Sequence, residues 1–118
     1  MSAADRQREV APNDVQRHPY VTHERPLFFA HRGGSALAPE NTMPAYENGM
    51  RLGADSLELD VHYSRDGEIV VFHDETLDRT TSGRGPLAAL TLDELRRLDA
   101  GYHYTPDGGA TYPWRGKG

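Results

Sequence analysis

The stretch Ser56-Leu57-Glu58-Leu59-Asp60-Val61-His62-Tyr63-Ser64-Arg65-Asp66-Gly67-Glu68-Ile69-Val70-Val71-Phe72-His73-Asp74 opens on a clean alternation. Side chains two apart on an extended chain share a face. Leu57, Leu59 and Val61 therefore fall on one side and Glu58 and Asp60 on the other. Two neighbouring carboxylates in a half-buried place repel, and one would be driven to take up a proton. A divalent cation bound by both removes that conflict, so the pattern suggests a metal site on a strand. The plain alternative is a strand with a polar outer face.

Arg65-Asp66-Gly67 is a turn signal, because glycine tolerates positive φ and aspartate bonds its own backbone nearby. Ile69 to Phe72 form a second β-prone run, ending at His73-Asp74. The gap is too short for a parallel crossover. The reading is an antiparallel return centred near Asp66 and Gly67, with His73 roughly opposite Asp60. An imidazole beside a metal-binding carboxylate pair has the character of an acid/base group.

Working outward, Leu27-Phe28-Phe29-Ala30 is apolar on both faces, as a strand buried on both sides would be. It runs into His31-Arg32-Gly33-Gly34, and the C-terminal ends of such strands are where α/β folds place their sites. His31 can move protons near neutral pH, and Arg32 presents a fork that matches phosphate oxygens. After a loop over Ser35 to Pro39, Asn41 or Thr42 can cap a helix with Pro44 in its first turn. Met43, Tyr46 and Met50 recur at helical spacing and read as core, and Gly53 marks the helix end. Strand, helix, strand predicts a parallel pair joined by a right-handed crossover. Glu75 to Pro86 reads as a long polar loop in which Arg79 and Arg84 are available to an anion. Thr91-Leu92-Asp93-Glu94 is a capping box opening a short helix with Leu92, Leu95 and Leu98 as its buried stripe. No strand or helix is assigned from Tyr102 onward.

The chain has 118 residues, which suits one modest domain. Residues 1–25 read as an N-terminal arm, flexible at first and packed near Tyr20-Val21, with solvated His18 and His23; residues 26–118 read as the domain. A net charge of −5 argues against nucleic acid as a partner, since phosphate backbones are held by an excess of Lys and Arg. Cysteine is absent, so no disulfide or thiolate metal site is available. The N-terminal residues lack the apolar run of a secretory signal, and no run of 18 apolar residues occurs. The expectation is a cytoplasmic protein with no integral membrane segment.

These residues carry a resemblance. Ala30-His31-Arg32-Gly33, Ala38-Pro39-Glu40-Asn41-Thr42, Gly53-Ala54-Asp55 with Leu57-Glu58-Leu59-Asp60-Val61, then Asp66-Gly67, Val70-Val71-Phe72-His73-Asp74 and Leu77-Asp78-Arg79-Thr80-Thr81-Ser82-Gly83 follow in that order. Over Pro26 to Gly101 the sequence resembles the glycerophosphodiester phosphodiesterases, of the PLC-like phosphodiesterase superfamily, whose signature is an H-R pair, an E-x-D and an H-D. The resemblance implies an α/β fold of the TIM (β/α)8 barrel type. It implies metal-dependent hydrolysis of glycerophosphodiesters, such as glycerophosphocholine or glycerophosphoethanolamine, to glycerol 3-phosphate and an alcohol, in lipid and glycerol metabolism. Carried over by position, His31 and His73 are the catalytic acid/base pair, Arg32 holds the phosphate, and Glu58 and Asp60 ligate the metal. Glu40 and Asn41 lie beside the metal and the first histidine. Calcium or magnesium suits such oxygen ligation.

A TIM barrel needs about 250 residues. The chain is thus expected to be an N-terminal fragment, too short to close the barrel, with the family's third acidic ligand beyond Gly118 and with weak or no activity alone. Two further readings stand beside this one: a phospholipase D-like phosphotransferase of the same superfamily, and a non-catalytic fragment that binds metal or phosphate.

Overall fold

A computed structural model describes residues 21–117. Strand β1 (Phe29–Ala30) pairs in parallel with β2 (Ser56–Leu57), in the register Phe29↔Ser56 and Ala30↔Leu57. Helix α1 (Met43–Arg51) connects them. A hairpin follows, with β3 (Val61–Tyr63) antiparallel to β4 (Ile69–Val71). The rest is turns, 3-10 segments at His31–Gly33 and Leu87–Ala89, and the short helix α2 (Leu92–Leu95). The strands of the described residues make two two-stranded sheets and no closed barrel.

The carboxylate stretch is where the chain changes partner. The Glu58 amide still donates to the Ala30 carbonyl at 3.1 Å, extending the parallel ladder, whereas the Asp60 carbonyl already accepts from Phe72 N–H at 2.9 Å, extending the hairpin. Glu58 thus stands at the C-terminal end of the parallel pair, and Asp60 at the mouth of the hairpin.

Local chemistry explains each boundary. Thr42 caps α1 by accepting from the Ala45 amide, and Pro44 sits in the first turn, where a missing N–H costs nothing. The helix ends in a Schellman motif: Gly53, at φ 88°, donates to Met50, and Ala54 donates to Gly49. At the hairpin tip Gly67 (φ 81°) donates to the Ser64 carbonyl, and the Glu68 amide donates to Ser64 Oγ. The capping box at Thr91 and Glu94 forms in full.

Several packing expectations are corrected. Met43 and Met50 are 67% and 65% exposed; α1 instead buries Ala45 and Gly49, small residues that let the helix backbone approach the sheet. A Cβ on Gly49 would sit 2.9 Å from Ala30 Cβ, which leaves no room there for a long side chain. Phe28 and Phe29 are exposed rather than buried on both faces, because β1 has only β2 beside it among the described residues. Leu59 and Val61, expected to share the apolar side of the strand, are exposed as well.

The second packing centre lies where a polar loop was expected. Leu77 and Leu87 are 1% exposed and Thr81 3%, drawn in by a Thr76↔Pro86 bridge and a Leu77 N–H to Gly85 carbonyl bond. Leu92, Leu95 and Leu98 are half-buried around an apolar cavity of about 160 Å³, shared with Val70 and Phe72 from the hairpin. The segment after Gly101 is turns, yet it is packed: Gly101 lies under Trp114, and the Arg115 guanidinium stacks over Tyr102 and Tyr112 at 4.2 and 4.0 Å. Of the expected N-terminal arm, residues 1–20, including His18 and Tyr20, lie outside the described residues. Arg25 is tied to Asp55 by a two-pronged ion pair.

Candidate functional site

The segment after β1 is wound tightly. Arg32 (φ 51°) and Asn41 (φ 56°) are the two non-glycine residues at positive φ among the described residues. Such backbone is costly for a residue with a Cβ and gathers at functional sites. Gly33 (φ 80°) presses against α1 so closely that a Cβ would lie 2.8 Å from Ala45 Cβ and 2.9 Å from the Tyr46 nitrogen.

This winding turns the Arg32 amide toward Glu58, whose Oε2 accepts from it at 2.9 Å. The Arg32 guanidinium is 18% exposed; it donates to Glu40 Oε1 at 3.2 Å, and its Nε lies 3.7 Å from Asp60 Oδ2. That Nε–H is buried, with no hydrogen-bond partner among the described residues. Asn41 Nδ2 donates to Asp60 Oδ2 at 3.1 Å, and the Tyr46 hydroxyl donates to Asn41 Oδ1 at 2.6 Å, which fixes the amide's orientation. Burial, with the nearby charges of Glu58 and Asp60, pushes the Tyr46 phenol upward, so it stays a donor. His31 is two-thirds exposed, with Nε2 3.8 Å from Glu58 Oε2.

The hairpin register puts Asp60 opposite Phe72 and hence His73 opposite Leu59, one residue from the expected pairing. Among the described residues the acid that the His73 ring pairs with is its neighbour Asp74, with Nδ1 2.7 Å from Oδ1, and the His73 carbonyl lies 2.8 Å from His62 Nε2. Arg79 then joins the two halves of the cluster. Its Nε and Nη2 donate to Asp74 at 2.7 and 2.9 Å, and its Nη1 and Nη2 donate to Glu40 at 2.8 and 2.7 Å. These bonds hold the Glu40 carboxyl below its ordinary range against the opposing effect of burial, and hold Asp74, which also bonds His73, far below it. An unbroken path of polar contacts therefore runs from His31 through Glu58, Arg32, Glu40, Arg79 and Asp74 to His73.

The sequence profile of the glycerophosphoryl diester phosphodiesterase family matches residues 31–117, the whole of this constellation. The chain belongs to that family. It is 53% identical over 78 residues to the glycerophosphodiester phosphodiesterase of Caldanaerobacter subterraneus, an alignment covering 66% of this chain and 32% of the relative. A crystal structure of a glycerophosphodiester phosphodiesterase from Agrobacterium tumefaciens is 46% identical with a TM-score of 0.67, covering 69% of this chain and 35% of that one. A phosphodiesterase from Oleispira antarctica, solved with the product sn-glycerol-3-phosphate, is 45% identical with a TM-score of 0.64, covering 66% of this chain and 32% of that one. The chain spans about a third of the length of these relatives, and the solved ones are TIM barrels.

Glu58 and Asp60 are the oxygen donors that could hold a hard cation, since Glu40 and Asp74 are taken up by Arg79. Glu40, Glu58, Asp60 and Asp74 outnumber Arg32 and Arg79, leaving two negative charges in the cluster. The hydrogen bonds to this pair fall on Glu58 Oε2 and Asp60 Oδ2. Oxygen ligands of this kind fit calcium or magnesium. The set is incomplete: the described residues bring no three His, Cys, Asp or Glu side chains together as a metal group. No helix among them is long and apolar enough to cross a membrane.

The sequence reading gave Asp74 no role and left Arg79 available to an anion; in the structure Arg79 is instead taken up by Glu40 and Asp74. The available signal was positional, since Asp74 follows His73 directly and Arg79 lies one loop further on. A bidentate carboxylate clamp was not legible in that spacing.

Proposed function

We propose that the protein is a phosphoric diester hydrolase that cleaves glycerophosphodiesters to glycerol 3-phosphate and an alcohol. The observation that carries this reading is the continuous polar path joining His31 and His73 to Glu58, Asp60 and Arg32 within a matched family region. A phosphodiester is anionic and repels an attacking oxygen, and its leaving alkoxide needs a proton. Glu58 and Asp60 would hold a divalent cation, calcium or magnesium, which when bound supplies neutralising charge to the phosphoryl oxygens. The Arg32 guanidinium, beside Asp60, would offer its charge to the same oxygens. One imidazole removes a proton from the attacking oxygen and the other delivers one to the leaving oxygen. With Nδ1 held by Asp74, His73 keeps Nε2 for this exchange. Glu40 and Asn41 orient Arg32 and Asp60.

Among the described residues no third ligand joins Glu58 and Asp60, so cation binding, and with it turnover, is expected to be weak. The test is phosphorus NMR of the purified chain with glycerophosphocholine and magnesium or calcium. The expected result is slow, cation-dependent release of glycerol 3-phosphate, abolished in His31→Gln and His73→Gln. Release that persists in both variants, or no release together with no cation-dependent binding of added glycerol 3-phosphate, would overturn the reading. Binding without release would leave the chain a non-catalytic phosphate-binding module.

A further inference from the structure

We infer that Arg79 is a positioning residue that fixes the tautomer of His73 by gripping Asp74. This rests on the reading of His73 as a proton-transfer group. An imidazole useful in proton transfer must present one defined nitrogen. His73 Nδ1 lies 2.7 Å from Asp74 Oδ1, and an ionised carboxylate only accepts, so that nitrogen carries the hydrogen and Nε2 is bare. The arrangement works only while Asp74 keeps its orientation.

The carboxylate has little else to hold it. Asp74 is adjacent to His73 in the chain, and among the described residues its side chain bonds His73 and Arg79. Arg79 grips both oxygens, with Nε on Oδ2 and Nη2 on Oδ1, the fork-to-fork geometry that fixes a carboxylate in a plane. Arg79 is in turn prevented from swinging by a second two-pronged grip on Glu40, which lies on the far side of the site, on the loop before α1. The guanidinium is 49% exposed, so a lone ion pair here would be worth little, but four charge-assisted bonds on one planar group act as a brace. The brace has a second consequence. By satisfying both Glu40 oxygens, Arg79 leaves Arg32 with a single longer bond to that carboxylate, and so with charge available for an anion.

The experiment is long-range proton–nitrogen NMR of the nitrogen-15 histidine-labelled chain at alkaline pH. Wild-type His73 is expected in the Nδ1–H form. Arg79→Met should move it toward the Nε2–H form that free histidine favours, as should Asp74→Ala, and the double variant should go no further than either single one. Arg79→Lys restores the charge without the fork and should remain shifted; if Arg79→Met fails to fold, this variant carries the test. A His73 tautomer unchanged in Arg79→Lys and Arg79→Met, or fully restored by lysine, would overturn the inference. The tautomer result stands apart from the hydrolase reading, which fails separately if His73→Gln leaves glycerol 3-phosphate release untouched.

Discussion

Gly33→Ala and Gly34→Ala separate two physical effects at neighbouring positions. Both glycines have positive φ, 80° and 98°. An alanine in that region costs about 1–2 kcal/mol from the clash of its Cβ with its own backbone. At Gly34 nothing else lies within 4 Å of the added carbon, so that strain is the whole expected effect. At Gly33 the carbon meets Ala45 Cβ at 2.8 Å and two backbone atoms, Ala45 C and Tyr46 N, at 2.9 Å. Backbone cannot yield as a flexible side chain does, so overpacking adds about 1–3 kcal/mol. Gly33→Ala should therefore lose roughly 2–5 kcal/mol against about 1–2 kcal/mol for Gly34→Ala. Urea unfolding followed by circular dichroism measures both, with slopes compared to confirm that the denatured states match. Equal losses would show that α1 does not press on this loop, and would refute the packing that shapes the Arg32 backbone.

Three further outcomes follow from the same packing and bonding. Thr91→Ala should lose about 1 kcal/mol by removing the acceptor for the Glu94 amide, measured in the same unfolding assay. Asp55 is held at about 2 by its bonds from Arg25 and the Phe28 amide, and Asp107 at about 2 by Thr111 and Thr105. Folded values below the unfolded value of about 3.9 mean stability that is present above that pH and lost as pH falls toward 2. The urea midpoint should accordingly fall over that window, with a shallower fall in Asp107→Asn. Finally, Val61, Tyr63, Ile69 and Val71 share one exposed face of the hairpin, in the opposed pairs Val61↔Val71 and Tyr63↔Ile69. Tyr63→Thr with Ile69→Thr should raise the concentration at which the chain self-associates in light scattering, since a contiguous apolar face drives association.

What the sequence made legible was local. The Thr42 and Thr91 caps, the Gly53 stop and the turn at Asp66-Gly67 each depend on a few adjacent residues, and each lies where the sequence placed it. The parallel pairing of Ala30 with Leu57 followed from chain order alone. The hairpin register was one residue out because Ser64 and Glu68 close a three-residue loop with Gly67 left-handed, moving the centre onto Asp66. Which apolar residues are buried depends on what lies opposite them, so Met43 and Met50 were misplaced while Leu77 was missed inside a polar-looking loop. The clamp made by Arg79 joins residues 39 and 5 positions away, a tertiary juxtaposition that periodicity does not carry.

Manganese titration with proton NMR of the histidine rings tests the centre of this account most directly, because a paramagnetic ion broadens only nearby resonances. With Glu58 and Asp60 as its ligands, the ion should broaden His31 and His73 while sparing His23, which lies toward the Asp55 end of the β1–β2 pair. The selectivity should vanish in the Glu58→Gln/Asp60→Asn double variant. Broadening of His23 equal to that of the other two, or a pattern that survives the double variant, would contradict it.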